Sequence, residues 1–512
     1  MHAFASLLAL STSGFAFAAA AAPVAPTENG PVTGTVAGDA QEFLGIRYAA
    51  PPVGPLRWQP PQPVPQRIAT TDATAFGPHC AQVASPYGVA SSTEDCLYLN
   101  VFVPNKPRPA DAPKLPVMFW IHGGALVVGE SDAYDPAALV GNDIIVVTIN
   151  YRLGYFGFLA TSGLDAEGHV AANYGLQDQQ FALDWVQRNI AGFGGDPARI
   201  AIAGESAGGL SVLSNLVSPT AYGLFDRAIV QSGGYALNLP TLQQAETTGA
   251  AVASGLGCAP EDTACLRAAS TDDILAQEAS AALSVTTIVD GTTLPESINT
   301  ALAAGRFNRV PVLNGSNRDE ERLFVPAYAG LAAADYPAAL ASIYGDFAPA
   351  VAAEYPAGNY KLPVYALAAA LTDQVFACTA RQVDLWTAPH VPTYAYEFHD
   401  RNAPEDFLPA VPGYNFGAAH ASELQFLFNL GQLPPGVRPL NARERQLSAT
   451  MATYWTNFVA AASPNSAGVP YWASFAPEAD NMQSLLPPAP VEETNFAAVH
   501  RCAFWRPLID PS

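Results

Sequence analysis

The sequence predicts an α/β fold in which a large, mostly parallel central sheet is flanked by helices. Short apolar runs rich in β-branched residues alternate along the chain with segments of helical spacing, a pattern typical of parallel sheets. Half of the 512 residues are hydrophobic, which is enough for an extensive buried core. No internal repeat or interdomain linker breaks the pattern, so we expect a single domain over residues 23–512.

Hydrophobic spacing predicts the individual elements in chain order. Val32–Val36 carries short β signals within a loop-rich start, and Pro51–Pro65 is too rich in proline for a helix or a central strand. The predicted core strands are Leu115–Ile121, Ile144–Ile149, Ile200–Ala203, Ala228–Gln231 and Val310–Leu313, and the predicted core helices are Leu176–Ile190 and Ala207–Leu216. The alanine-rich segment 330–370 predicts a helical region over the carboxyl edge of the sheet.

Residues 1–22 are expected to form a signal peptide. The segment from Ala3 to Ala22 is nearly all apolar or small, and residues 16–18 (AFA) fit the small-x-small pattern of a cleavage site. Because the segment contains no lysine or arginine, an ordinary apolar tail is the alternative. Export predicts a secreted or periplasmic protein, and the sequence offers no other apolar stretch long enough for a membrane anchor.

The six cysteines suggest three pairs along the sequence. Cys80 is close to Cys96, Cys258 is close to Cys265, and Cys378 and Cys502 remain as a long-range pair. An even number of cysteines in an exported protein favours disulfides. Buried thiols in a cytosolic enzyme are the alternative.

The chain is strongly acidic, with a formal net charge of −22. Such a surface repels phosphate backbones, so nucleic acid is excluded as an expected partner. A small molecule is the partner that the remaining motifs indicate.

Residues 204–208 (GESAG) mark the candidate nucleophile, Ser206. They lie between a predicted strand and a predicted helix, where a tight turn needs glycine on both sides and lifts the serine hydroxyl above the sheet. The N–H of Ala207, at the helix start, becomes a donor for a developing oxyanion. An ordinary N-cap serine at a glycine-rich helix start is the alternative interpretation.

Residues 122–125 (HGGA) follow a predicted strand and form the second candidate element of the site. Glycines let the backbone approach a bound ester and direct two N–H groups at one point. Gly123 and Gly124 are therefore predicted to complete an oxyanion hole with Ala207. A simple turn is the alternative, but it does not explain why these glycines stand at a strand end.

A serine nucleophile needs a histidine base, and the histidine needs a carboxylate that holds its tautomer. In this fold class the chain order is serine, acid, histidine. His420 lies in a loop of small residues and is the predicted base, whereas His399 lies in a β-like run typical of a structural residue. The acid is one of three consecutive carboxylates, and the residue pattern does not choose among Asp319, Glu320 and Glu321.

Together these motifs resemble the type-B carboxylesterase family, which includes bacterial para-nitrobenzyl esterases, cholinesterases and some fungal lipases. The resemblance covers nearly everything after the signal peptide, including FLGIRYAAPPVGPLRW (43–58), NYRLGYFGFL (150–159), GESAGG (204–209) and NGSNRDEERLF (314–324). It implies an α/β-hydrolase fold with a helical region over the active site, and ester hydrolysis by a Ser-His-Glu triad. The family's Asp-Glu-Gly motif aligns with residues 319–321 and selects Glu320 as the acid. The first two cysteine pairs likewise align with disulfides common in the family.

Three features depart from the family pattern. Glu321 replaces the glycine that usually follows the acid. Leu126 stands where an aromatic residue often follows the oxyanion glycines, which predicts a differently shaped acyl pocket. The loop between Cys80 and Cys96 is short and polar and contains Tyr87 but no tryptophan. The resemblance therefore favours neither a choline ester specialist, which uses a tryptophan there, nor a lipase with an amphipathic lid.

The sequence thus predicts a serine carboxylesterase that cleaves a small ester through an acyl-enzyme intermediate. Ser206 attacks the carbonyl carbon, His420 transfers the proton and Glu320 orients His420. Glu205 is expected either to face the pocket as a second carboxylate near His420 or only to pack. No metal or organic cofactor is implied. The alternatives are an amidase, a thioesterase or a detoxifying esterase on the same triad, or a non-catalytic binding homologue, which the presence of all three triad residues disfavours.

Overall fold

The computed structural model describes residues 22–109, 111–279, 285–430 and 437–510. Its strands are β1 (Val24–Ala25), β2 (Val32–Thr33), β3 (Thr35–Ala37), β4 (Ala40–Arg47), β5 (Thr71–Asp72), β6 (Tyr98–Pro104), β7 (Leu115–Ile121), β8 (Tyr134–Asp135), β9 (Ile145–Ile149), β10 (Gly195–Glu205), β11 (Arg227–Gln231), β12 (Val312–Asn317), β13 (Thr393–Phe398), β14 (Asn429–Leu430), β15 (Met482–Leu485) and β16 (Val491–Glu493). Its α-helices are α1 (Ala137–Val140), α2 (Gly154–Phe158), α3 (Ser162–Asp165), α4 (Tyr174–Asn189), α5 (Ala207–Val217), α6 (Leu242–Gly255), α7 (Thr263–Ala268), α8 (Thr271–Ala279), α9 (Ile298–Ala303), α10 (Tyr336–Tyr344), α11 (Ala348–Glu354), α12 (Pro363–Thr372), α13 (Cys378–Thr387), α14 (Ala442–Ala461), α15 (Phe496–Val499) and α16 (Cys502–Ile509). All but the last residue of the expected signal peptide lies outside the described residues.

The centre of the fold is an 11-stranded sheet in the order β16-β15-β13-β12-β11-β10-β7-β9-β6-β4-β3. The strands from β15 through β9 run parallel to one another, and the strands at both edges are antiparallel. Side chains of β7 alternate between two core clusters: Val117 and Phe119 pack in one, and Met118 and Trp120 in the other. The sheet is therefore covered on both faces, and the predicted α/β architecture is confirmed.

The predicted strands agree closely with the structure where an apolar run is continuous. Leu115–Ile121 is reproduced without change, and the second predicted strand begins one residue later, at Ile145. The fifth differs, because β12 extends through Asn317 rather than ending at Leu313. Its polar residues are buried because partners elsewhere bind them; Asn314 Nδ2, for example, donates to the backbone oxygen of Ala380 at 2.9 Å.

The helical region predicted over residues 330–370 is present as α10, α11 and α12. These helices pack with α16 around one apolar cluster that includes Leu340, Val351 and Trp505. Helix α12 also contacts the short 3₁₀ turn Glu320–Leu323, which follows β12. The region therefore lies beside the residues expected to carry the acid.

All six cysteines form the three predicted disulfides: Cys80–Cys96, Cys258–Cys265 and Cys378–Cys502. The last bridge joins residues 124 positions apart and ties the start of α13 to the start of α16. In the described part of the chain, none of the helices has both the length and the apolar character needed to cross a membrane.

Candidate active site

The candidate residues follow neighbouring parallel strands at the edge where those strands end. Ser206 follows β10, and Gly123 follows β7, the strand paired with β10 on one side. On the other side β11 leads to Ser232, and β12 leads to Glu320. Parallel strands present their carboxyl ends at one edge, so segments far apart in sequence meet there.

Ser206 occupies a strained turn between β10 and α5. Its φ of 57° and ψ of −120° lie in a region that non-glycine residues rarely adopt. A Cβ at Gly208 would lie 2.0 Å from the carbonyl oxygen of Ile121, and a Cβ at Gly204 would lie 2.5 Å from the Gly208 carbonyl carbon. The predicted need for glycine on both sides therefore has a steric cause. The Ser206 N–H donates to the Gln231 carbonyl at 2.8 Å and holds the turn against β11.

His420 is held by Glu320 through both backbone and side chain. The His420 Nδ1 lies 2.6 Å from Glu320 Oε2, and the His420 N–H donates to the Glu320 carbonyl at 3.1 Å. Glu320 is fully buried, and its Oε1 accepts from Ser232 Oγ and from the Asn317 N–H, each at 2.6 Å. These bonds stabilise the charged carboxylate and fix its orientation toward the imidazole.

The other candidate residues for the acid and the base lie in different surroundings. The Asp319 carboxylate accepts from Arg401 Nε at 2.9 Å and pairs with Arg322 Nη2 at 3.0 Å. Burial raises the pKa of Glu321 to about 7, and its backbone N–H donates to Thr372 Oγ1. His399 Nδ1 contacts Ser484 Oγ at 3.2 Å beside β15. Among these groups, Glu320 alone bonds to the His420 side chain.

Glu205 is a second buried carboxyl group beside His420. Its Oε1 lies 3.1 Å from His420 Nε2, although the geometry is outside that of a hydrogen bond and, within the described residues, neither atom has a hydrogen-bond partner. Burial raises the pKa of Glu205 to about 8. Burial also opposes protonation of His420, but Glu205 and Glu320 outweigh it and raise the pKa of His420 to about 9. The expectation that Glu205 faces the imidazole, rather than only packing, fits this geometry.

The segment 122–125 forms a tight turn whose backbone departs from ordinary conformations. Gly124, Ala125 and Leu126 have φ values of 98°, 56° and 62°. The Gly123 backbone interacts with the buried Tyr134 hydroxyl, whereas the N–H groups of Gly124 and Ala125 donate to no described residue. A Cβ at Gly123 would lie 3.2 Å from the Ser206 Cβ, so the turn and the nucleophile are in contact.

Two phenyl rings cover the His420 imidazole. The ring centroids of Phe324 and Phe376 lie 5.1 and 4.9 Å from that of His420. Phe376 belongs to a π-helical turn, Asp373–Ala377, a feature often found at functional sites. Leu126, by contrast, is entirely buried in the core, so it can shape a pocket only through the residues packed on it.

Three residues near the triad positions were missed in the sequence. Ser232 bonds to Glu320, and its position after β11 was the available signal. Glu423 is fully buried, and Asn317 and Gln231 donate to its carboxylate at 2.6 and 2.9 Å. Tyr134 lies close enough to Glu205 for that carboxylate to raise its pKa, together with the larger effect of burial. No local pattern distinguishes Tyr134 from an ordinary surface residue, whereas Glu423 belongs to the segment GAAHASEL (417–424), which is part of the family resemblance.

A possible metal-ligand group lies elsewhere, where ligand atoms of Glu397, His399 and Glu493 fall within 4.8 Å of one another. Glu397 already bonds to His500 Nε2 at 2.5 Å and to Arg318 Nη1 at 3.2 Å. The position of this carboxylate is therefore explained by its protein partners.

A family model described as the carboxylesterase family matches residues 21–505. Cocaine esterase of Homo sapiens is 33% identical over 95% of this chain and 91% of its own length. Para-nitrobenzyl esterase of Bacillus subtilis is 35% identical over 89% of this chain and 93% of its own length. A solved structure titled PNB esterase superposes with a TM-score of 0.79 at 34% identity, covering 94% of this chain and 99% of that chain.

Proposed function

The chain belongs to the carboxylesterase family, has the α/β-hydrolase fold and is a carboxylic ester hydrolase, and on that premise we propose that it acts through an acyl-enzyme formed on Ser206. The observation that carries the proposal is the buried Glu320–His420 pair, joined at 2.6 Å beside the strained serine turn. A buried carboxylate on Nδ1 leaves Nε2 as the proton acceptor for the nucleophile.

Ser206 attacks the ester carbonyl while His420 Nε2 takes the hydroxyl proton. His420 then protonates the departing alcohol, and in the second half of the cycle it activates the water that frees the carboxylic acid. The absence of a hydrogen-bond partner on Nε2 among the described residues is compatible with this role, because catalytic hydrogen bonds often form only with substrate bound. Glu320 stabilises the imidazolium in both halves of the cycle.

The oxyanion is stabilised by backbone N–H groups of the 122–125 turn and by Ala207. The sequence pattern predicts Gly123 and Gly124 as the two donors from this turn. We propose Gly124 with Ala125 in preference to Gly123, because the Gly123 backbone interacts with Tyr134 while the other two N–H groups have no acceptor among the described residues. The third donor, Ala207, opens α5, where the helix dipole adds positive potential.

The substrate that we propose is an ester of modest size, neither a choline ester nor emulsified fat. Tyr87 of the Cys80–Cys96 loop packs on Phe407 at 5.5 Å, and the loop has no tryptophan to bind a quaternary ammonium group. The two sequence relatives are named for cocaine and para-nitrobenzyl esters, which share only the ester linkage and an aryl group. We also propose that the chain is exported as a single domain, since three disulfides suit an oxidising compartment.

Fluorophosphonate labelling followed by peptide mass spectrometry tests the proposal. We expect a covalent adduct on Ser206 and loss of both adduct and ester turnover in Ser206→Ala. Ser342→Ala, an exposed serine on α10, is the control and should behave as wild type. Retained turnover in Ser206→Ala would refute the nucleophile assignment. A panel of para-nitrophenyl esters of rising chain length, with choline and aryl esters beside it, tests the substrate class.

A further inference from the structure

A cavity of about 160 Å³ lies next to the segment that carries Glu320, because Arg318, Asp319 and Arg322 line it. We call it the arginine cavity, because its cationic lining residues are Arg318, Arg322, Arg401, His500 and Arg501. These residues come from three separate parts of the chain: the end of β12 and its turn, the loop after β13, and the junction of α15 and α16. Such a concentration of positive charge is unusual in a chain whose formal net charge is −22.

The positive charge of the arginine cavity is only partly balanced. His500 Nδ1 and Nε2 each lie 2.5 Å from a carboxylate oxygen, of Asp373 and Glu397. Burial opposes protonation of His500, but these two carboxylates outweigh it and raise its pKa to about 9, so the ring is cationic at neutral pH. Within the described residues, five cationic side chains contact four carboxylates there, namely Asp319, Glu354, Asp373 and Glu397.

The guanidinium groups also have N–H donors that their ion pairs do not use. Arg322 and Arg401 share one carboxylate, that of Asp319. Among the described residues, the Arg318 guanidinium bonds through Nη1 alone, to Glu397. The same Nη1 lies 3.0 Å from His500 Nε2, but the N–H of the imidazolium donates to Glu397 and accepts no bond from the arginine. A guanidinium presents five donors in a planar fork that matches the paired oxygens of phosphate or carboxylate. A self-contained ion-pair network would leave neither an excess cation nor open donors facing a cavity.

We propose that the arginine cavity binds a small oxyanion, a phosphate or a carboxylate, held by the remaining N–H donors of Arg318, Arg322, Arg401 and Arg501. The volume of about 160 Å³ suits such a group. Bound there, the anion cross-links the three chain segments. The segment after β12 contacts the triad loop directly, two residues before His420. The Asp319 N–H donates to the Ala418 carbonyl at 2.9 Å, and the Ala418 N–H donates to the Asp319 carboxylate at 3.2 Å.

Thermal unfolding of the whole protein in inorganic phosphate tests this site independently of ester turnover. At pH 7 we expect a saturable rise in Tm of about 3 °C at a hundredfold excess over the dissociation constant. Sodium chloride at the same ionic strength should give no saturable rise. Titration calorimetry should report one bound phosphate per chain.

Arg401→Gln is the informative variant, because Arg401 is half exposed and Arg322 still pairs with Asp319 after the substitution. We expect about tenfold weaker phosphate binding, the effect of losing one charge-assisted pair. Arg188→Gln is the matched control: this arginine is similarly exposed and ion-paired to Glu28, but lies on α4 outside the cavity. Equal weakening in both variants would overturn the proposal.

Acetate and succinate, titrated in the same way, distinguish free phosphate from a carboxylate such as the product acid. A saturable Tm rise with carboxylates alone, abolished in Arg401→Gln, would keep the site and identify its ligand as a carboxylate. If neither phosphate nor carboxylate raises Tm beyond the chloride control, the proposal is wrong. None of these outcomes depends on Ser206 being the nucleophile.

Discussion

Replacing Glu205 with glutamine should lower the pH at which Ser206 becomes reactive. Glu205 Oε1 lies 3.1 Å from His420 Nε2, the atom that must be unprotonated to accept the serine proton. A carboxylate so close favours the imidazolium, and the pKa of His420 is raised to about 9 although its burial acts in the opposite direction. Glutamine keeps the shape of the side chain and removes the charge, so the pKa of His420 should fall.

The fall in the pKa of His420 can be bounded in two ways, from the distance between Glu205 and His420 and from the total pKa shift of His420. Coulomb's law for unit charges at this separation, with an effective dielectric constant of about 20, gives ~5 kcal/mol as an upper limit. The rise in the pKa of His420 from 6.5 to about 9 corresponds to only ~3 kcal/mol. Because Glu320 contributes to that rise, and Glu205 with its pKa of about 8 is mostly protonated at pH 7, we expect the midpoint to move down by about one pH unit.

The rate of fluorophosphonate labelling, measured from pH 5 to 10, reports this midpoint in the free enzyme. Glu278→Gln is the matched control: Glu278 is also buried, with a pKa raised by burial to about 8, but its bond goes to the Tyr155 N–H rather than to a histidine. An unchanged midpoint in Glu205→Gln would refute the reasoning, and so would an equal shift in Glu278→Gln.

The remaining predictions concern the acid, the oxyanion turn and one disulfide. Glu320→Gln should reduce kcat about 10⁴-fold, since glutamine cannot stabilise the imidazolium. Glu321→Gln should reduce kcat far less. If steady-state kinetics gave the larger loss of kcat in Glu321→Gln, the assignment of the acid would be reversed. Gly124→Ala should lower kcat about 10²–10³-fold. The added Cβ would lie 2.1 Å from a carbonyl oxygen, and the φ of 98° disfavours alanine, so the turn should shift. An unchanged kcat would contradict the assignment of the Gly124 N–H as an oxyanion donor. Replacing Cys378 and Cys502 by serine should lower the free energy of unfolding by about 5 kcal/mol on the chain-entropy model, which urea titration can check, and a loss below 1 kcal/mol would show that closing this long loop contributes little.

The sequence carried enough information for the elements whose signals are local. Leu115–Ile121 could be bounded to the residue because a strand buried on both faces is apolar throughout. The turn around Ser206 could be placed because glycine is required where a Cβ would meet a neighbouring backbone. In both cases the cause of the structure lies within a few residues of the effect.

The features that escaped prediction depend on partners distant in the chain. The predicted strand ends at Leu313, before the polar end of β12. Asn317 in that end is held by a distant partner, since its Nδ2 donates to Glu423 Oε2, a residue 106 positions later. Three adjacent carboxylates could not be separated by their own pattern, because what distinguishes Glu320 is its bond to His420, 100 positions away. The family resemblance selected Glu320 as the acid. No sequence pattern predicted that the cationic residues of the arginine cavity lie together.

Phe324 is a position at which the surroundings of His420 can be engineered. Its ring lies against His420 but is 48% exposed, so a change of size there sacrifices little buried area and should leave folding largely intact. Gly124, Ala125 and Leu126 are poor targets, because bulky or β-branched replacements at positive φ would strain the turn itself. A saturation library for reshaping the surroundings of His420 should therefore begin at position 324 and leave positions 124–126 untouched.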